Sequence, residues 1–402
     1  MLHIYRIAIL RQASSISRMA NNNRRKQLDS LRTRIDATDD QILQLIHQRA
    51  ELARQVGEVK EDDGNTPFYV PSREASIIRR ILQRNAELAD QSHASRIPDA
   101  AIHGIYRDII GACLALEHPM TIAHLGPKGT FSHAAARRQF GATASYLACE
   151  HLEQVFDEVE SGRATYGIVP VENAFEGAVT PVLDLFADHE RTIQVCAEVQ
   201  LSIEHHLFTF ATDLSDITCV LSHGQPLGQC RRWLQEHLPH AQLREVNSTV
   251  RGAAMIEEAK AGQRDDIDWQ HSAAIGPYAI VENTELPLLQ RNIEDFHNNI
   301  TRFLVIGQHD SPPSGKDKTL IVASLHDKPG ALNDLIQPFA QRGISLSRIE
   351  SRPSRKRHWQ YFFFIDILGH REDAEVQQAI TAIRQQDVNL LIRGSYPISS
   401  PL

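Results

Sequence analysis

Asn298-Asn299-Ile300-Thr301-Arg302-Phe303-Leu304-Val305-Ile306 sets a hydroxyl and a guanidinium directly ahead of a short apolar run of β type. Taken alone, a Thr-Arg pair at a strand entrance is more often structural than catalytic, a β-branched residue beside a solvated charge. Its meaning depends on what precedes it. Tyr166 to Val171 reads as a buried strand that delivers Glu172-Asn173-Ala174-Phe175-Glu176-Gly177 to a strand-to-helix loop. Val220-Leu221-Ser222-His223-Gly224-Gln225-Pro226 repeats the arrangement ahead of a helix through Cys230 and Trp233. Thr121 to Leu125 runs into Gly126-Pro127-Lys128-Gly129-Thr130-Phe131-Ser132 and a helix from His133, and Glu245-Val246-Asn247-Ser248-Thr249 caps the helix holding Ala253 and Met255. Short β-runs alternating with helices are α/β grammar. Ligands of open α/β sheets bind at strand ends, so these polar strand ends predict a cleft between two α/β lobes over residues 121–308. The glycine-rich turn at Gly126 is not GxGxxG, and no acid stands at the expected distance on a second strand, which disfavours a dinucleotide site.

Downstream, residues 309–318 contain Ser311-Pro312-Pro313-Ser314-Gly315-Lys316-Asp317-Lys318, a polar, Pro-rich linker. Beyond it, residues 319–396 follow a βαββαβ pattern: a strand at Thr319 to Leu325, a turn at Asp327-Lys328-Pro329-Gly330, and a helix through Phe339. Strands at Ile344 to Glu350 and Trp359 to Ile367, a helix after Glu372 and a strand at Asn389 to Gly394 complete an α+β, ferredoxin-like unit. Such a unit serves either dimerisation or sensing.

Upstream, residues 24–118 read as all-helical. From Gln27 to Lys60 the only glycine is Gly57, there is no proline, and Leu28, Leu31, Ile35, Ile42, Leu45, Ile46, Leu52, Val56 and Val59 recur with helical periodicity. The rod spans about 50 Å, longer than a small domain is wide, and so calls for a partner rod. Arg49 falls within its apolar stripe and Lys60 close to it, either snorkelling outward or meeting an anion. Arg32 lies about 25 Å before Arg49 on a straight helix, so the two cannot grip one small molecule from the same chain. Ser72 caps a second helix, and Pro98 opens a third, on which Ile102, Tyr106, Ile109, Cys113 and Glu117 share a face. For residues 1–23 the favoured reading is a disordered extension with Met19 the functional start, and an Arg- and Ser-rich transit peptide is the alternative.

A net charge of -8 over 402 residues argues against a general nucleic-acid or membrane-surface binder. Five cysteines without CxxC spacing suggest neither a disulfide framework nor a zinc site, and point to a reducing, cytoplasmic setting. No stretch approaches the ~20 apolar residues of a membrane span.

Three resemblances organise these readings. Leu31-Arg32-x-x-Ile35-Asp36-x-x-Asp39, Arg49-x-Glu51-Leu52-Ala53-x-x-Val56-Gly57-x-x-Lys60 and Arg73-Glu74 resemble the all-helical class of chorismate mutase. The resemblance implies a chorismate site of Arg32 from one chain opposite Arg49, Lys60, Val70, Arg73, Glu74, Cys113 and Glu117 of another, hence an intertwined homodimer. A pericyclic rearrangement of a dicarboxylate needs cations to hold both carboxylates and a donor for the breaking ether oxygen, and no nucleophile. Val70, Cys113 and Glu117 stand where Asp, Ser and Gln are familiar. Only a protonated Glu117 donates to the ether oxygen, so mutase activity is expected to fall as pH rises.

Leu125 to Ser132, Val169 to Gly177, Leu221 to Cys230, Ala273 to Gly276 and Asn298 to Val305 together resemble prephenate dehydratase, whose fold is similar to two-lobed type II periplasmic binding proteins. Ala174-Phe175 and Gly224 are the departures. The resemblance implies Thr301 as the principal catalytic residue. Glu172 is then the expected proton source, Asn173 and Gln225 the groups that orient prephenate, and Arg302 a carboxylate clamp or a brace, with Ser222 and Phe303 beside them.

Gly330-Ala331-Leu332-Asn333 and Glu350-Ser351-Arg352-Pro353 resemble the two phenylalanine-sensing motifs of the ACT domain. The combined expectation is a multidomain enzyme that takes chorismate to prephenate and prephenate to phenylpyruvate without cofactor or metal. L-phenylalanine would inhibit it, with higher oligomers when the effector binds. A non-catalytic amino-acid sensor with a binding-protein-like fold is the alternative, and a fusion to prephenate dehydrogenase would require the missing dinucleotide fingerprint.

Overall fold

Tyr166 to Val171 and Phe303 to Ile306 are almost entirely buried and lie side by side in the middle of the largest sheet, which fixes the frame of the molecule. The computed structural model describes residues 2–63, 67–92, 96–326, 328–353, 360–386 and 388–399, with side chains from Asn23 onward except those of Asp63, Gln91, Ser92, His326 and Gln360. Asp327 and Trp359, read above as turn and strand, lie outside the described residues. The chain divides into two bodies, residues 1–64 and 65–402.

The first body is one helix, α1 (Leu2–Asp63), of 62 residues. It is about 93 Å long and begins well before Gln27, where a disordered extension was expected. No glycine or proline interrupts residues 2–56, so nothing in the chain stops the helix earlier. Leu28, Leu31, Ile35, Ile42, Leu45, Leu52, Val56 and Val59 are exposed, whereas Ile46, Arg49, Ala53, Gly57 and Lys60 are half-buried or buried.

The second body begins with α2 (Pro71–Ser92) and α3 (Asp99–Glu117). The second body thus takes in α2 and α3, which the sequence reading groups with α1 in an all-helical 24–118 domain. The reason is packing. Tyr69, ahead of α2, is buried with its ring 5.1 Å from those of both Phe140 and Tyr166, and Leu114 of α3 joins the same core.

Two lobes follow. The first contains β1 (Thr121–Leu125), α4 (Phe131–Phe140), β2 (Ser145–Cys149), α5 (Leu152–Glu160), β3 (Tyr166–Asn173), β4 (Gly177–Ala178), α6 (Thr180–Ala187) and β5 (Gln194–Ser202). The second contains β6 (His206–Thr209), β7 (Cys219–Ser222), α7 (Gly224–Gln229), α8 (Arg231–His237), β8 (Gln242–Glu245), α9 (Thr249–Lys260), β9 (Ser272–Gly276), α10 (Ile280–Asn283) and β10 (Leu288–Gln290). The chain then returns as β11 (Ile300–Gly307) to the first lobe, inserted antiparallel between β3 and β5. The sheet orders are β2-β1-β3-β11-β5 with β4 on β3, and β10-β6-β9-β7-β8. The chain crosses between lobes twice, after β5 and before β11, which leaves a cleft between them.

The C-terminal domain is β12 (Asp317–His326), α11 (Ala331–Ala340), β13 (Leu346–Pro353), β14 (Gln360–Leu368), α12 (Ala374–Arg384) and β15 (Asn389–Pro397), in the βαββαβ order expected. Its sheet, β13-β14-β12-β15, covers its own helices on one face. On the other face Leu320, Val322, Phe364 and Tyr396 enter the core of the first lobe with Val169, Leu304 and Ile306. Gly394 on β15 has φ +138, and a Cβ there would collide with the backbone of Val195 on β5, so only glycine permits this approach. Among the described residues no helix is long and apolar enough to cross a membrane.

Candidate active site

A cleft of about 500 Å3 opens where the strands of both lobes end, the size and position of a small-molecule site. Thr301, Asn173, Phe303 and Gln225 line it, with Glu176, His205 and Gln229. Side chains of a strand alternate between faces, and this alternation sorts the expected residues. Asn173 and Thr301, paired in register on β3 and β11, face the cleft; Glu172 and Arg302, the next pair, face the C-terminal domain.

The cleft side of this pair is tightly specified. Asn173 Nδ2 donates to Thr301 Oγ1 at 2.9 Å and to Asn299 Oδ1 at 2.8 Å, and its Oδ1 accepts from the backbone N–H of Phe175 and Glu176. All four hydrogen-bonding positions of the amide are used, so Asn173 orients Thr301 and has none left for a ligand. Because Thr301 Oγ1 already accepts, its own proton is directed elsewhere. Asn298 helps by taking φ 68, a conformation that asparagine tolerates better than most residues.

Glu172 is thus not beside Thr301: its Oε2 lies 3.2 Å from Arg348 Nε and 3.9 Å from Arg302 Nη1. Arg302 is no carboxylate clamp in the cleft. It donates to Glu198 at 2.9 Å, to Asp366 at 2.6 Å and to the Tyr396 hydroxyl at 2.6 Å. Burial opposes its charge, but Tyr396, Asp366 and Glu198 outweigh it and its pKa is pushed up. Ser222, expected near the ligand, is fully buried and gives its proton to the Ile275 carbonyl at 2.7 Å.

The carboxyl that does line the cleft is Glu176, on the loop after β3. Its two oxygens accept from Gln225 Nε2 at 2.6 Å and Gln229 Nε2 at 2.7 Å, which belong to α7 of the opposite lobe. Gln229 Oε1 lies 2.7 Å from His205 Nε2, which places the imidazole proton on that nitrogen. Burial holds the His205 pKa below its ordinary value, so the ring is neutral. Among the described lining residues there is no lysine or arginine. Positive potential comes instead from helix starts: the first residues of α4, capped by Thr130, and of α9, capped by Ser248, line the cleft from opposite lobes.

Sequence reading passed over Glu176, Gln229, His205 and Asn299. Two of these had a signal: Glu176 follows Asn173 by three, the spacing of a side-chain-capped turn, and Gln229 follows Gln225 by four on a helix. His205 and Asn299 had none.

The residues expected to meet chorismate divide between the bodies. Arg49 and Lys60 share the half-buried face of α1, and Arg32 is exposed with Nη1 3.5 Å from Asp29. In the second body Val70 is half-buried ahead of α2, Arg73 is exposed, Cys113 is buried and Glu117 half-buried at the end of α3. Glu74 is buried in an ion pair with Arg107 of α3, beside a cavity of about 60 Å3 that Glu198 also lines.

Of the two effector motifs, Gly330 is left-handed (φ +86) at the start of α11, where Ala331 is half-buried and Leu332 and Asn333 are exposed. On β13, Glu350 and Arg352 are half-buried and Ser351 and Pro353 exposed, and Arg352 donates to the Thr180 carbonyl at 2.6 Å.

Comparison with known proteins joins the C-terminal half of α1 with α2 and α3 in one family match, across the division between the two bodies. Family models match residues 31–118 (chorismate mutase type II), 122–311 (prephenate dehydratase) and 318–385 (ACT domain). The bifunctional chorismate mutase/prephenate dehydratase of Aquifex aeolicus is 40% identical over 92% of this chain and 98% of its own. That of Pseudomonas aeruginosa is 42% identical over 92% and 98%. The structure of prephenate dehydratase from Arthrobacter aurescens in complex with L-Phe aligns with a TM-score of 0.60 and 34% identity over 69% of this chain and 90% of that one. The chain belongs to the bifunctional chorismate mutase/prephenate dehydratase family.

Proposed function

We propose that the two lobes bind prephenate with Thr301 as the hydrogen-bond donor to the departing hydroxyl. In the reaction the ring carboxylate's C–C bond breaks and CO2 leaves. The electron pair enters the ring as it becomes aromatic, and the hydroxide expelled from C4 takes a proton from solvent. A threonine is too weak an acid to supply that proton outright. A fixed donor aimed at the developing hydroxide is worth about 3 kcal/mol of barrier, and Asn173 fixes it by donating to Thr301 Oγ1. That hydrogen bond is the observation that carries the reading.

The starts of α4 and α9 suit the carboxylate that prephenate keeps. The ring carboxylate is better left without strong donors, because stabilising it would oppose its loss. Glu176 accepts at both oxygens from the other lobe and so acts as a clasp between lobes.

For the first reaction, Arg49 and Lys60 of one chain and Arg32 of a second hold the two chorismate carboxylates, with Arg73 beside them and Glu117 the donor to the ether oxygen. Arg32 is about 25 Å from Arg49 along α1, which supports a site shared by two chains. The exposed apolar stripe of α1 supports an intertwined homodimer. Phenylalanine, a derivative of the product, inhibits through Gly330 to Asn333 and Glu350 to Pro353, shifting the population toward a less active arrangement. Five unpaired cysteines support a cytoplasmic setting.

The test is incubation with chorismate and no nicotinamide cofactor. Phenylpyruvate at neutral pH supports both activities. Accumulation of prephenate would refute the dehydratase reading, and unchanged chorismate the mutase reading.

A further inference from the structure

Two cross-strand pairs of opposite charge meet at the contact between the first lobe and the ACT domain. On the lobe sheet, Arg302 of β11 stands opposite Glu172 of β3. On the ACT sheet, Arg348 of β13 stands opposite Asp366 of β14. The pairs are crossed, so each arginine faces the other sheet's acid: Arg302 Nη1 to Asp366 Oδ2 at 2.6 Å, and Arg348 Nε to Glu172 Oε2 at 3.2 Å. Tyr396 of β15 closes the group, accepting from Arg302 and donating to Asp366 Oδ1 at 3.0 Å. Asp366 is 1% exposed and Arg302 9%. Charges so buried are expensive unless paired, and hydrophobic side chains would serve adhesion alone more cheaply.

What these charges sit behind gives them a use. Glu172 and Arg302 immediately adjoin Asn173 and Thr301, whose side chains emerge on the opposite face of the same two strands. A shift of the ACT sheet that moves Asp366 or Arg348 therefore moves the backbone from which Asn173 and Thr301 project. Arg348 is also two residues from Glu350 on β13, the strand that carries the second effector motif.

We propose that Asp366 and Arg348 of the ACT domain are positioning residues for the dehydratase reaction, holding the Asn173–Thr301 pair in register through Arg302 and Glu172. Effector occupancy reaches the threonine through the same four charges. The proposal rests on the reading of Thr301 as the donor.

The test uses the full-length chain, with mutase turnover as the measure of intact folding. Asp366→Asn and Arg348→Gln are expected to lower dehydratase kcat about tenfold with KM within about twofold, to shift the phenylalanine midpoint, and to leave mutase turnover unchanged. Glu172→Gln combined with Arg348→Gln should be no worse than Glu172→Gln alone, because the Glu172–Arg348 pair is already lost there. If Asp366→Asn does not fold, the Glu172–Arg348 cycle decides alone. Wild-type kcat and phenylalanine midpoint in Arg348→Gln, or additive losses in the double variant, would overturn the proposal. Thr301→Ala, assayed alongside, separates the two failures: full activity there refutes the donor reading itself, whereas an inactive Thr301→Ala with a wild-type Arg348→Gln refutes only the positioning role.

Discussion

Asn173 Nδ2 donates to Thr301 Oγ1 at 2.9 Å across the β3–β11 ladder, while Asn173 Oδ1 is held by the backbone N–H of Phe175 and Glu176. The direction of that bond matters more than its length. Asn173→Asp keeps the shape and the turn but cannot donate, so Thr301 would turn its proton toward the carboxylate. Dehydratase kcat should fall about a hundredfold with KM changed far less. Asn173→Asp with near-normal kcat in steady-state kinetics would show that Thr301 is not oriented this way.

The mutase half makes a separate prediction. In the proposed mutase site Glu117 donates a hydrogen bond to the ether oxygen, which a carboxylate cannot do. Wild-type mutase kcat/KM should therefore fall as pH rises, and Glu117→Gln, whose amide donates at any pH, should flatten that profile. Parallel profiles for the two proteins at high pH would contradict the role.

Stability toward acid has its own source. Burial, then the nearby His124, pushes the His133 pKa from 6.5 down to about 4, and the ring accepts the Gly129 N–H at 3.1 Å. Between those two values the unfolded chain binds a proton that the folded one does not, so stability is full above 6.5 and is lost as pH falls toward 4. The loss amounts to about 3 kcal/mol. His133→Asn keeps an acceptor for Gly129 and should lose less stability over that window in denaturant melts. An unchanged pH slope would assign the acid sensitivity elsewhere.

Much of this arrangement was legible in the sequence, and the exceptions have physical causes. Strand ends such as Val171-Glu172-Asn173 and Ile300-Thr301-Arg302 announced the cleft because apolar runs stop abruptly at polar groups. Which of two adjacent polar residues faces the cleft was not legible: strand parity depends on register with a partner, and a one-residue shift exchanges the faces. That is why Glu172 and Arg302 were expected beside the ligand and are found behind it. The pairing of Glu74 was not legible for a related reason, since its partner Arg107 is on another helix. Ser222 looked free because nothing local shows that the Ile275 carbonyl takes its proton. The extent of α1 was underestimated by giving the arginines that interrupt a mildly apolar N-terminal stretch more weight than the absence of any helix breaker.

The most direct test of the dehydratase mechanism is single-turnover conversion of prephenate by Thr301→Ala and Thr301→Ser, with mutase turnover as the internal standard. Thr301→Ser, which retains the hydroxyl, should keep most of the wild-type rate, and Thr301→Ala should lose about a hundredfold or more with substrate affinity little changed. Thr301→Ala turning prephenate over at close to the wild-type rate would contradict the assignment of Thr301 as the donor.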